Sequence, residues 1–160
     1  AVNAEQKMEP SAFLEVRTAA EEAFASGYYC AESVVLAVAR FQGVEPDLPV
    51  KMATALCSGQ ARTCGPCGAL TGAILAVSLV LGRTAKTDSV EPAYAATRRL
   101  VGEFEKEFGG RDCQTLLDGC DLGTPEGQAM LKERGFVRRC TRFTGKAAQM
   151  AARIIADSRS

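Results

Sequence analysis

The sequence predicts an all-α fold, a single-domain helical bundle with cysteines at helix N-termini. Apolar residues recur at helical spacing, most clearly near the end of the chain at Phe143, Ala147 and Ile154. No stretch alternates convincingly between apolar and polar residues, as a half-buried strand would. A chain of 160 residues has the size of one domain and can bury a real core. We therefore expect one all-helical domain over residues 1–160.

Proline and capping residues mark where the predicted helices begin, and glycines mark where most of them end. Pro10 and Ser11 start the first helix, for example, and Gly27 ends it. A glycine-containing loop is expected over residues 58–66. In chain order, the helices are predicted near residues 10–27, 30–41, 48–57, 66–82, 87–109, 113–117 and 124–135, with a last one through residues 143–154.

The fourth predicted helix contains the longest apolar stretch, residues 69–81. This stretch is shorter than the roughly 20 residues of a membrane span, so it predicts a buried central helix and no membrane insertion. Gly68 and Gly72 are four residues apart and let another helix approach closely. The formal net charge is zero, with acidic and basic residues interspersed. A nucleic-acid-binding protein would show a basic stripe, so no nucleic-acid partner is expected.

Seven cysteines and the absence of histidine restrict the chemistry of the chain. A helix N-terminus carries partial positive charge and unpaired N–H groups, which stabilise the thiolate form that binds metal or attacks sulfur. Without imidazole, a metal must be held by sulfur, helped at most by carboxylate. These facts favour sulfur-centred redox chemistry over most hydrolases. Four cysteines lie where predicted helices begin: Cys30, Cys67, Cys113 and Cys140.

The odd number of cysteines fits a reducing compartment better than a secreted disulfide framework. We therefore expect a cytoplasmic protein. The first residue, Ala1, fits either removal of Met or removal of a leader peptide, so the compartment stays open at this point.

Cys64-Gly65-Pro66-Cys67 is the sharpest local motif. A CxxC motif that enters a helix supplies either a dithiol pair or two ligands of one metal centre. The four residues are similar to the active site of thioredoxins, but no strand or βαβ pattern accompanies them. Arg62 lies two positions before Cys64 and could lower the pKa of that thiol, although an ordinary solvated arginine explains it as well.

Residues 67–72 read CGAxxG, with Cys30 before them and Cys113 and Cys140 after them. This arrangement resembles the C-GCAxxG-C-C family of redox-active proteins, over about residues 27–156. The resemblance carries four positions over to this chain and implies a redox role for them: Cys30, Cys67, Cys113 and Cys140. Three cysteines are additional to that pattern: Cys57, Cys64 and Cys120.

Four thiolates that converge from separate helices suit an iron–sulfur cluster or zinc. Zinc usually takes two CxxC pairs and this chain has one, which favours an iron–sulfur cluster used for electron transfer or redox sensing. Cys64 is the expected substitute ligand, Cys120 is as easily a loop thiol as a ligand, and Cys57 is expected in the core. Tyr28 and Tyr29 could shield a cluster from water, and Arg138, Arg139 and Arg142 could offset its charge, though solvation explains at least two of these arginines.

Two other functions remain open on the sequence. One is a thiol–disulfide oxidoreductase that uses Cys64 and Cys67 without metal, and the other is a structural zinc module. If the chain is an enzyme, it is an oxidoreductase. We expect a redox protein as its partner, and the sequence leaves a homo-oligomer open.

Overall fold

A computed structural model describes residues 9–160 and confirms the all-α fold. No β-strand occurs in this part of the chain, where one isolated antiparallel bridge joins Pro66 to Asp112. The extent of the expected domain stays a prediction, and residues 1–8 lie outside the described residues. The helices are α1 (Pro10–Ser26), α2 (Cys30–Gln42), α3 (Asp47–Ala53), α4 (Cys57–Arg62), α5 (Gly68–Leu81), α6 (Glu91–Phe108), α7 (Cys113–Leu116), α8 (Pro125–Glu133) and α9 (Phe136–Ser158).

Three helices, α2, α5 and α9, each pack against the other two and form the centre of the bundle. Helix α1 packs on α2 and α9, and α6 packs on α5 and α9. The predicted apolar row of α9 points into this core, where Phe143, Ala147 and Ile154 are buried. Phe104 of α6 and Phe143 of α9 pack ring against ring, with centroids 6.4 Å apart.

The apolar stretch predicted to be central is α5, and its close approach to α2 is confirmed. A methyl group added to Gly72 would lie 2.7 Å from the Cα of Ala31, so the two backbones almost touch. Leu70 and Val77 of α5 are also buried. Among residues 9–160, no helix combines the length and the apolar composition that a membrane crossing requires.

Two predicted boundaries near the cysteine motif were wrong. Helix α3 ends at Ala53 rather than Cys57, and a 3-10 turn, Thr54–Leu56, follows it. Helix α5 begins at Gly68 rather than Pro66, because Cys67 has an extended backbone and serves as the N-cap. Residues between these points were predicted to form a loop, but they include α4.

Helix α4 is a left-handed turn. Residues 58–62 all have positive φ, between 55 and 67°, and only Gly59 among them is a glycine. For other residues the left-handed conformation costs roughly 1–2 kcal/mol each, so neighbouring contacts must hold it. The N–H of Gly65 donates to the carbonyl of Gly59 at 2.9 Å, and the Thr63 hydroxyl donates to the carbonyl of Gln60 at 2.8 Å. Backbone strain of this size is often found at functional sites.

Candidate functional site: a cavity lined by cysteines

One cavity of about 350 Å³ lies where the left-handed turn meets the bundle. Its volume is at the lower end of the range of roughly 300–1,000 Å³ for small-molecule and cofactor sites. Its walls are mostly apolar, with Leu116, Leu117 and Phe143 among them. Four cysteines from four different helix regions line it: Cys30, Cys67, Cys113 and Cys140. These are the cysteines that the sequence predicted to form the site.

Cys30 and Cys67 enter the cavity from the starts of α2 and α5. Cys30 is the first residue of α2, where the N–H of Tyr29 donates to the Glu32 carboxylate at 3.0 Å and fixes the helix start. Cys67 precedes α5 and is buried. A methyl group on Gly68 would overlap the sulfur of Cys30, so this glycine lets the two helix starts meet.

Cys113 and Cys140 complete the lining from the second half of the chain. Cys113 is the first residue of α7, and its N–H donates to the carbonyl of Gly65 at 3.0 Å. The N–H of Cys67 donates to the carbonyl of Arg111 at 2.7 Å, so two backbone hydrogen bonds join α7 to the CxxC segment. Cys140 is the fifth residue of α9. It was predicted to lie at the helix start, but the helix begins one turn earlier, at Phe136.

Three of the four lining thiols are held in their protonated form. Burial, with a smaller effect of the nearby Cys113 and Cys140, raises the pKa of Cys67 to about 12, against the opposing effect of the N–H groups of Ala69 and Leu70. Burial, followed by neighbouring cysteines, also raises the pKa of Cys113 to about 11 and that of Cys140 to about 12. We expected the helix N-termini to favour the thiolate, but at these three cysteines the effect of burial is larger and favours the protonated thiol.

Three cysteines lie outside the cavity lining. Cys57 is buried behind Cys30, in a small cluster with Ala31 and Ala53, as expected for a core residue. Its thiol donates to the carbonyl of Ala53 at 3.6 Å. The interaction with Cys30, followed by burial, raises the pKa of Cys57. Cys120 is buried, and its thiol donates to the carbonyl of Gly127 at 3.2 Å.

The two cysteines of the CxxC motif face different surroundings. A hydrogen bond to Asp121 raises the pKa of Cys64, followed by the effects of burial, the Asp121 charge and Cys120. Cys67 instead interacts with Cys113 and Cys140. The dithiol alternative requires a lowered pKa at Cys64, and the pKa of Cys64 is raised.

Charged residues of one sign line the cavity. Arg62 and Lys132 are its charged lining residues, and within the described part of the chain no carboxylate joins them. The sequence analysis missed Lys132, because it lies in an ordinary polar helix with no pattern that marks it. Tyr28 and Tyr29 also line the cavity and remain 42% and 54% exposed, which places them at its opening.

The arginines predicted to flank the site take other roles. Arg139 pairs with Asp118 at 3.0 Å, and Arg142 pairs with Glu107 at 2.9 Å. Neither these two nor Arg138 lines the cavity. Both ion pairs are exposed, so each contributes little to stability.

The residues do not fit a single metal ion as they stand. Across residues 9–160, no group of three or more Cys, Asp or Glu side chains could hold one ion. A tetrahedral zinc site needs four donors at about 2.0–2.3 Å from one point. A multi-iron cluster is larger and takes thiolates spaced around its periphery, and four cysteines around one cavity match that donor set better.

The sequence pattern described as "Putative redox-active protein (C_GCAxxG_C_C)" matches residues 28–154 of the chain. The chain belongs to this family. The matched region contains all seven cysteines and the whole cavity lining except Phe24 and Gly27. Neither a curated protein nor a solved structure matches the chain.

Proposed function

We propose that this member of the redox-active family binds an all-cysteine iron–sulfur cluster in the cavity and serves in electron transfer or redox sensing. The observation that carries the proposal is that Cys30, Cys67, Cys113 and Cys140, far apart in sequence, line one cavity. When bound, such a cluster takes up and releases single electrons.

The charge of the cavity supports an anionic guest. Four thiolates around iron leave a net negative centre, and Arg62 and Lys132 are positioned to offset it. The protonated thiols fit the same proposal, because metal binding removes the proton from a coordinating thiol outright. Buried thiols with a raised pKa react slowly as nucleophiles but remain available as ligands.

The two alternatives have less support from the geometry. A thiol–disulfide oxidoreductase would need a reactive thiol at Cys64, and the pKa of Cys64 is raised. A structural zinc module would need donors that converge on one point, which the described residues do not provide. A redox protein partner, a cytoplasmic location and the oligomeric state stay predictions.

Metal analysis tests the proposal. Protein purified or reconstituted without oxygen should be brown and contain iron and acid-labile sulfide. Cys67→Ser should abolish iron binding, whereas Cys64→Ser, the matched change in the same CxxC motif, should retain it because Cys64 lies outside the lining.

Cys57→Ser provides a second control, since Cys57 is buried but lies outside the cavity lining. Absence of iron and sulfide after anaerobic reconstitution of the folded wild-type protein would overturn the proposal. Equal loss of iron in the Cys67 and Cys57 variants would show that the division between lining and core is wrong.

A further inference from the structure

We propose that Cys30 and Cys57 form a second redox site, a thiol pair that a small peroxide oxidises to a disulfide. The sequence motif does not indicate this pair, because the two cysteines are 27 positions apart and Cys57 is additional to the family pattern. The inference concerns the metal-free protein, because Cys30 cannot join this disulfide while it is a ligand of a cluster.

The two cysteines are in contact around Gly68. A methyl group on Gly68 would overlap the sulfur of Cys30 and would lie 3.1 Å from the Cα of Cys57. Cys30 also packs against the small buried cluster that contains Cys57, so the two side chains are neighbours. A side chain at position 68 would lie between them, and glycine leaves that space free.

Accessibility assigns different roles to the two thiols. Cys30 is partly exposed and lines the cavity, so a small neutral oxidant can reach it. Cys57 is only 3% exposed and is reached through Cys30. Hydrogen peroxide oxidises the Cys30 thiol to a sulfenic acid and releases one water. The Cys57 thiol then condenses with that sulfenic acid, which forms the disulfide and releases a second water. The two thiols lose two electrons and two protons, and the peroxide takes them up.

Peptide mapping of the full chain tests the pair. Reduced protein is freed of excess reductant without oxygen, given one equivalent of hydrogen peroxide, alkylated and digested with trypsin. Cleavage after lysine and arginine places Cys30 in residues 18–40, Cys57 in residues 52–62 and the CxxC motif in residues 63–83. A Cys30–Cys57 disulfide therefore joins two peptides, whereas a Cys64–Cys67 disulfide stays within one.

We expect the link between residues 18–40 and 52–62 to form first. Cys57→Ser should accumulate a Cys30 sulfenic acid that dimedone traps, and Cys30→Ser should leave Cys57 reduced. Cys64→Ser, the matched control, should form the link as the wild type does. A link within residues 63–83 or 112–132 that forms first, or the absence of any intramolecular link, would overturn the proposal.

The peptide map of the wild-type protein shows whether the Cys30–Cys57 disulfide forms, even if a variant fails to fold. Iron analysis is a separate measurement, so the two proposals can fail independently. A protein that binds no iron can still close this disulfide, and a protein that binds iron can lack it.

Discussion

Gly68 lies between the sulfur of Cys30 and the backbone of Cys57, at the first position of α5. We predict that Gly68→Ala abolishes iron binding, because the added methyl group overlaps the Cys30 sulfur and pushes it from its place in the cavity. Overpacking of this kind also costs about 1–3 kcal/mol of stability. Iron content after reconstitution and urea unfolding measure the two effects.

Gly102→Ala is the matched control for this substitution. Gly102 lies in α6, and a methyl group there would meet nothing within 4 Å. It should leave iron binding unchanged and raise the free energy of unfolding by about 0.5–1 kcal/mol, since glycine is a poor helix former. Full iron content in Gly68→Ala would contradict the proposed place of Cys30.

The buried thiols predict how stability depends on pH in reduced, metal-free protein. Their pKa values of about 12 for Cys67 and Cys140 and about 11 for Cys113 exceed the ordinary value of 9.0. Thiols of the unfolded chain ionise first as the pH rises, so above about pH 9 the unfolded state binds fewer protons. The free energy of unfolding should therefore be highest below about pH 9 and fall towards pH 11.

Each such thiol contributes at most about 1.4 kcal/mol for each pH unit between its two pKa values. Urea unfolding at about pH 8 and about pH 10.5 measures the fall. Cys140→Ala removes one of these thiols, and its fall over the same interval should be smaller than that of the wild type. An equal fall in the free energy of unfolding of both proteins would show that the pKa of Cys140 is not raised in the folded state.

At the scale of single elements, the left-handed α4 is the feature that the sequence does not reveal. Residues 58–62 contain one glycine, and alanine, glutamine and arginine ordinarily favour right-handed helices. Contacts from later in the chain decide the conformation. A methyl group on Gly59 would lie 2.8 Å from the Cβ of Cys113, so the turn is pressed against α7.

We predict that Ala61→Gly leaves stability unchanged or raises it by up to about 1 kcal/mol. Ala61 is exposed with φ of 55°, and glycine relieves the left-handed strain at the cost of greater freedom in the unfolded chain. Ala95→Gly, at an exposed position in the right-handed α6, should instead cost about 1 kcal/mol. Urea unfolding compares the two, and an equal loss in both would contradict the account of α4.

At the scale of the whole molecule, the sequence predicted most of the helices, because apolar rows and terminal residues mark them, whereas α4 was missed. The four cysteines assigned to the site from their place at helix starts line one cavity. Their role as ligands stays a prediction. The sequence could not predict that Cys57 touches Cys30, or that Lys132 reaches the cavity, because both contacts depend on how separate helices pack. The helix start assigned to Cys140 was late by one turn, since α9 begins at Phe136.

The two cations of the cavity predict a change in reduction potential. Arg62→Gln or Lys132→Gln removes positive charge beside an anionic cluster and disfavours the added electron. The midpoint potential of the reconstituted protein should become more negative, by an amount on the order of tens of millivolts. Lys86→Gln, outside the cavity lining, should leave the potential unchanged. An unchanged potential in the Arg62→Gln and Lys132→Gln variants would show that these two cations do not act on the redox centre.

Two backbone hydrogen bonds between residues 65–67 and residues 111–113 predict which part of the protein opens first. The bundle of α1, α2, α5 and α9 packs without them, whereas α7 is joined to the CxxC segment by the amides of Cys67 and Cys113. Hydrogen exchange at these two amides should proceed through local opening, faster than at Ala148 in the buried part of α9. A cofactor held by cysteines of α2, α7 and α9 would link α7 to the bundle. Its binding should therefore slow hydrogen exchange at both amides, and its loss should let α7 and the CxxC segment separate before the bundle unfolds.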